Sequence, residues 1–159
     1  MKKYIVALLI LTLTTLVGCQ KENSTTTTQS VELPGGRRYV GQMLNGEPNG
    51  RGTLIVSKNN KYVGEFVNGR IEGQGKLYLP DGSIYEGEFK NNLINGHGTI
   101  VAKDGTRYEG EWKDGKMNGM GTLTYPDGSK KSGYFEMGKY IGKEPPKVPK
   151  NFPAEEGEQ

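Results

Sequence analysis

The pattern of this chain is clearest in Tyr108-Glu109-Gly110-Glu111-Trp112, which continues through Lys113-Asp114-Gly115 to Gly119-Met120-Gly121-Thr122-Leu123-Thr124-Tyr125-Pro126-Asp127-Gly128. In both runs, side chains of two kinds alternate with period two, which predicts half-covered β-strands. Between them, Asp114–Gly119 holds two turn dipeptides, and we expect a loop there. Pro126-Asp127-Gly128 predicts a tight turn, because glycine takes a positive φ without steric cost.

This unit recurs every 23 residues. Each copy has a tyrosine, a glycine two places on and a bulky apolar residue four places on. The tyrosines are Tyr39, Tyr62, Tyr85 and Tyr108, and the bulky residues are Met43, Phe66, Phe89 and Trp112. A degraded fifth copy starts at Lys131, and Leu33-Pro34-Gly35-Gly36 indicates half a unit before the first. A fixed period of this length indicates a repeat architecture whose terminal units deviate because they cap the stack.

The repeats predict an all-β fold, a single-layer antiparallel β-meander of stacked hairpins with about ten strands. No window shows helical periodicity. The tyrosines, glycines and bulky residues share one face, where each glycine leaves room for a neighbouring ring to lie against the backbone. The opposite face is expected to be solvated and carries Gln42, Glu65, Glu88 and Glu111.

The composition excludes several classes of protein. The 159 residues include 25 glycines and only 33% hydrophobic residues, too few for a doubly wound or barrel enzyme. One cysteine permits no internal disulfide, and one histidine excludes a histidine-rich metal site. Of the 21 basic residues, 19 remain beyond residue 18, against 18 acidic ones. A near-neutral body of this kind does not indicate nucleic-acid binding.

The N-terminus reads as a secretory signal. A positive head, Met1-Lys2-Lys3, precedes the apolar run Tyr4–Leu16, which is too short for a transmembrane span of about 20 residues. The next residues, Leu16-Val17-Gly18-Cys19, resemble the lipobox of bacterial lipoproteins. The resemblance implies cleavage between Gly18 and Cys19, lipid attachment at Cys19, and a location on the extracytoplasmic side of the cell envelope. Gln20 in place of Asp favours the outer membrane where the bacterium has one.

The chain therefore divides into four predicted parts. A signal peptide covers residues 1–18, and a flexible Ser/Thr-rich tether covers 19–30. The repeat domain covers 31–142, with units that start at 39, 62, 85 and 108 and a partial unit at 131. A proline-rich and acidic extended tail covers 143–159.

The repeat unit resembles the MORN (membrane occupation and recognition nexus) repeat. The resemblance rests on the Tyr108–Gly128 segment, covers residues 39–128 well, and reaches weakly to about residue 142. Two positions depart from it: Asn92 replaces a turn glycine, and Val56-Ser57-Lys58-Asn59 lacks the Pro-Asp-Gly turn. The resemblance implies a repeat sheet with reported membrane association.

No residue set predicts catalysis, a metal or a cofactor. The Gly-x-Gly strings do not open helices, so they are not phosphate-binding loops. His97 lies between two glycines and is expected to be an exposed strand residue. The repeated glutamates are expected to be solvated rather than to form a glycosidase pair. The sequence thus indicates a protein that is not an enzyme.

Aromatic residues on one face of a single-layer sheet predict a binding face. Large exposed apolar patches mark interfaces, and aromatic residues dominate their contacts. The favoured function is a membrane-anchored, protein-interaction scaffold whose partner is unknown. Alternatives are phospholipid association, glycan binding through stacked rings, and pairing of copies through the sheet edges. The predicted face comprises Tyr62, Phe66, Tyr85, Phe89, Tyr108 and Trp112.

Overall fold

The computed structural model describes residues 26–146, which form one antiparallel sheet of eleven strands in chain order, with no helix in that range. This confirms the all-β meander, with one strand more than about ten. The strands are β1 (Thr27–Leu33), β2 (Arg37–Leu44), β3 (Glu47–Ser57), β4 (Asn60–Val67), β5 (Arg70–Tyr78), β6 (Ile84–Lys90), β7 (Leu93–Val101), β8 (Arg107–Lys113), β9 (Lys116–Thr124), β10 (Lys130–Glu136) and β11 (Lys139–Gly142).

Several predictions from the sequence concern the chain ends. The signal peptide, the cleavage site at Gly18, the lipidated Cys19, the first part of the tether and the tail beyond residue 146 lie outside the described residues. The predicted tether boundary at residue 30 needs correction, because Thr27–Ser30 belong to β1 and pair with Val40–Met43 of β2. Threonine favours the extended state, and backbone pairing at a sheet edge requires no apolar side chain.

In each of the four full repeats, the hairpin has one bulge, which lies at the same place in the repeat. In the second repeat, Gly64 pairs with Gly75 and Phe66 pairs with Ile71, so a single residue of β4, Glu65, faces three residues of β5. The middle one, Gly73, has a φ of +69°, which glycine adopts without strain. The bulge shifts the strand so that Phe66 and Ile71 return to the same face.

The tyrosine rings explain the paired glycines. A Cβ atom at Gly98 would lie 2.5 Å from Cζ and 2.6 Å from Cε2 of Tyr85, so the ring occupies the space of a side chain. A Cβ atom at Gly87 would lie 2.5 Å from Cα of Gly98. The Tyr85 hydroxyl donates to the backbone carbonyl of Glu88 at 3.1 Å. Each repeat thus folds its tyrosine flat over two facing glycines, as predicted.

The rings of successive repeats form one continuous ladder. Neighbouring rings meet edge to face, with centroids 4.9 to 5.4 Å apart, from Tyr39 to Tyr140. Edge-to-face pairs of this geometry contribute about 0.5–1.5 kcal/mol each beyond their burial. Tyr140 ends the ladder, because the degraded fifth unit has Lys131 where the other units have tyrosine. The Tyr140 hydroxyl reaches the carbonyl of Ser132 at 3.2 Å instead.

The hairpin turns are shorter than the sequence suggested. The loop expected over Asp114–Gly119 is a two-residue turn, Asp114-Gly115, and β9 starts at Lys116. Both turn residues have positive φ, +48° and +78°, which matches the twist of the strands. Asn92 takes a φ of +67°, so its replacement of glycine is tolerated.

Turn contacts differ between the two long edges of the sheet. At the hairpin edge, the turns from the second repeat onward donate a backbone amide to a carbonyl of the preceding repeat; the Gly115 amide, for example, donates to the Ile94 carbonyl at 2.9 Å. At the opposite edge the turns close on themselves, and the Asp81 carboxylate accepts the Ser83 amide at 2.9 Å. The turn between β3 and β4 on that edge lacks Pro-Asp-Gly and is a tight reversal in which Ser57 pairs with Asn60.

We expect Gly98→Ala to lower the free energy of unfolding by about 1–3 kcal/mol, the usual cost of overpacking, since the added methyl overlaps the Tyr85 ring. Urea unfolding followed by circular dichroism measures this. Thr99→Ala, at the next position on the other face, is the control and is expected to cost under about 1 kcal/mol. Equal losses in the two variants would show that the ring does not fill the glycine space.

Candidate interaction surface

The structure brings the six predicted binding-face residues together but buries them. Their side chains lie in one ladder and are between 0% and 8% exposed. Half-buried aliphatic residues such as Leu77 and Ile100 pack against the rings from the neighbouring strands. An open aromatic face is therefore not present, because the rings fill the glycine spaces and one another's edges. Glycan binding by stacking requires exposed ring faces, and these rings have none available.

Burial also changes the ionisation of the tyrosines. Desolvation raises the pKa of Tyr62 and of Tyr108 to about 12 each, and the charge of Glu111 adds to the shift of Tyr108. Burial likewise raises the pKa of Tyr85 above its ordinary value. These shifts mark a packed core in which the neutral phenol is favoured.

The repeated glutamates are less solvated than expected, and they have a structural task. The Glu88 carboxylate folds over the bulge glycine Gly96 and accepts the backbone amide of His97 at 3.0 Å. Glu111 accepts the amide of Met120 at 3.0 Å in the same way. Each carboxylate thereby satisfies an amide that the bulge leaves without a strand partner. A glycosidase-like carboxylate pair is not supported.

His97 lies where the sequence predicted, as an exposed residue of β7. Its side chain is 75% exposed, and its Nδ1 atom lies 4.0 Å from the Glu88 carboxylate. Among residues 26–146, no group of three or more histidine, cysteine, aspartate or glutamate side chains is placed to hold a metal ion. Nor does that part of the chain include a helix long and apolar enough to cross a membrane.

The uncovered surface is the face opposite the rings. There, cross-strand pairing places five side chains in one row over β4–β8, and we call this row the outer-face patch. Ile84 and Val101 pair directly at its centre and are 37% and 41% exposed. Cations lie at both ends, and the Lys61 ammonium lies 4.6 Å above the Tyr78 ring. In order, the patch is Lys61, Tyr78, Ile84, Val101 and Arg107.

Ion pairs border the outer-face patch on one side. Lys76 contacts Glu86 at 2.7 Å, and Arg107 contacts Glu109 at 2.6 Å. Of these side chains, Lys76, Glu86 and Arg107 line a shallow depression of about 520 Å³ together with Ile84 and Val101. An apolar centre with a charged rim is the usual anatomy of a protein contact surface.

Sequence reasoning missed the outer-face patch. The signal was present, because Ile84 and Val101 occupy the alternate positions of the same period-two pattern that located the tyrosines. The aromatic residues lie on the other face, and their spacing predicted the binding face there. Only the strand register shows that Ile84, Val101 and Arg107 are neighbours across three strands.

An uncovered antiparallel meander with one hairpin per repeat defines the class of β-repeat scaffolds. The MORN repeat family model matches residues 39–60, 62–84, 85–107 and 108–130, which together make up more than half of the chain. The chain belongs to the MORN-repeat family. No curated protein matches it.

The tyrosine pKa values predict a loss of stability in alkali. Since the folded pKa lies above the unfolded value of about 10, the contribution is complete below pH 10 and is lost as the pH rises through about 12. We expect the free energy of unfolding to fall between pH 10 and 12, and to fall less steeply in a Tyr62→Phe, Tyr108→Phe double variant. Urea titrations at each pH measure both slopes, and identical slopes would contradict the burial of these phenols.

Proposed function

We propose that this protein is a lipid-anchored, non-enzymatic scaffold of the bacterial cell envelope, and that its repeat sheet binds a protein through the outer-face patch. The observation that carries the proposal is the exposed Ile84–Val101 pair within a charged rim, on the uncovered face of the sheet. The rings on the other face are buried in the core. A partner therefore meets the face on which apolar side chains remain exposed.

The anchor rests on the resemblance of Leu16-Val17-Gly18-Cys19 to the lipobox. β1 starts at Thr27, and eight peptide steps from Cys19 span at most roughly 28 Å. An anchor at Cys19 would hold the first strand close to the membrane. Several acyl chains, at about 0.8 kcal/mol per buried methylene, make such attachment lasting.

Phospholipid association is a second candidate, and one observation favours it. The row of the outer-face patch continues through cross-strand pairs to Arg38 at one end and Lys130 at the other. Basic side chains near anionic headgroups contribute about 1 kcal/mol each. Apolar side chains between them would enter the headgroup region.

The anchor is tested by expressing the full chain and its Cys19→Ser variant in a bacterium. We expect the mature wild-type chain to start at Cys19 with an added acyl mass, and the variant to leave the membrane fraction. An unmodified mature terminus would overturn the anchor. Flotation of the variant with phosphatidylglycerol vesicles at low salt, lost at high salt, would favour the phospholipid candidate.

The outer-face patch is tested with a photo-crosslinking amino acid at position 84 in the native envelope. We expect a discrete protein adduct that Val101→Glu weakens about tenfold or more, about 1.4 kcal/mol. The matched control places the crosslinker at Val67, which is 48% exposed on the same face but outside the patch. Equal adducts from both positions, or lipid adducts alone, would argue against a protein partner at this surface.

A further inference from the structure

The two edge strands of the sheet differ in how open they are. β11 has four residues and an irregular register against β10, and it is followed by Lys143 and by Pro145-Pro146. Lysine, proline, short length and bulges are the devices that block pairing at a sheet edge. The C-terminal edge is therefore protected.

β1 has none of these devices. Its seven residues, Thr27–Leu33, pair with β2 in one unbroken register and include no proline, lysine or arginine. Glu32 is its single charged residue. Within residues 26–146, no strand pairs with its outer side. The row of amides and carbonyls on that side is a template for another strand.

We propose that β1 pairs with β1 of a second copy of this chain, antiparallel and about a two-fold axis, so that two sheets join into one of twenty-two strands. Opposed residues in an antiparallel pair share a face, so the axis must pass through a residue that opposes itself. Pairing all seven residues places that axis at Ser30, with Thr28 opposite Glu32.

The register suits the side chains on both faces. On the outer face, Glu32 opposes the neutral Thr28, so no like charges meet. On the inner face, Val31 and Leu33, which pack against the ring ladder, oppose Gln29 and Thr27, so each apolar side chain meets a neutral side chain of the second copy. A self-opposed Glu32 would be unfavourable, which argues against a register in which the axis lies at Glu32.

A second copy fits this edge better than the alternatives on the same chain. The C-terminal segment beyond residue 146 includes Pro149 and Pro153, which have no amide to donate. Pairing β1 with β11 of another copy would leave three of the seven residues unpaired. One strand pair is a small interface, and its occupancy at the membrane rests on the proposed anchor, which raises the local concentration of β1 edges.

Disulfide trapping of Ser30→Cys in the full chain, reconstituted in phospholipid vesicles, tests the pairing. We expect a dimer whose bond maps to position 30 by mass spectrometry, because opposed Cβ atoms lie about 4.5–5.5 Å apart. Ile141→Cys, 42% exposed on β11, is the matched control and is expected to stay monomeric. A Thr28→Cys copy mixed with a Glu32→Cys copy is expected to crosslink, which checks the register.

A charge variant supplies the second measurement. Ser30→Lys opposes two cations across the axis and is expected to abolish the dimer, while Val40→Lys, its neighbour on β2, is expected to leave it intact. Equal trapping at positions 30 and 141, a bond only to another protein, or a dimer that survives Ser30→Lys would each overturn the pairing. The N-terminal mass reports the anchor separately, and if the anchor fails, trapping is repeated in concentrated solution.

Discussion

The contact on which the whole sheet depends is a tyrosine ring lying flat on two facing glycines. In the third repeat, Tyr85 covers Gly87 and Gly98, and its hydroxyl reaches the Glu88 carbonyl at 3.1 Å. A glycine inside a strand is a loss of roughly 0.5–1 kcal/mol relative to alanine. Here that loss is offset, because the missing side chains make room for a large apolar ring that would otherwise face water.

The same contact solves the problem of a single-layer sheet, which has no second layer to cover its apolar side. Tyrosine rings that lie on glycines have their centroids about 5 Å from the ring centroids of the next repeat. Buried area therefore accumulates along the sheet rather than between two layers. The fifth repeat lacks the tyrosine that would cover Phe135 at the end of the ladder. Tyr140 of β11 contacts Phe135 in its place.

Much of this architecture can be predicted from the sequence, because the 23-residue period fixes strands, turns and the ring-bearing face together. The exposure of the rings cannot be predicted from the sequence, because it depends on how closely rings such as Phe89 and Tyr62 approach each other across strands. The bulge opposite Glu65 is equally hidden, because period-two patterning does not count two extra residues. The outer-face patch follows from register alone, and Thr27–Ser30 became a strand although their composition is that of a tether.

The two long edges of the sheet, which carry the turns, differ in their hydrogen bonds, and this difference has a mechanical consequence. Along the hairpin edge, successive repeats are joined by backbone hydrogen bonds, such as the one from the Gly115 amide to the Ile94 carbonyl, whereas the Pro-Asp-Gly turns form hydrogen bonds only within themselves. The distance between successive repeats is thus held by turn hydrogen bonds at one long edge of the sheet and is less constrained at the other. We therefore expect a load on the sheet to change the repeat spacing more at the Pro-Asp-Gly turns than at the hairpin turns, so that the sheet bends more easily in one direction than in the other.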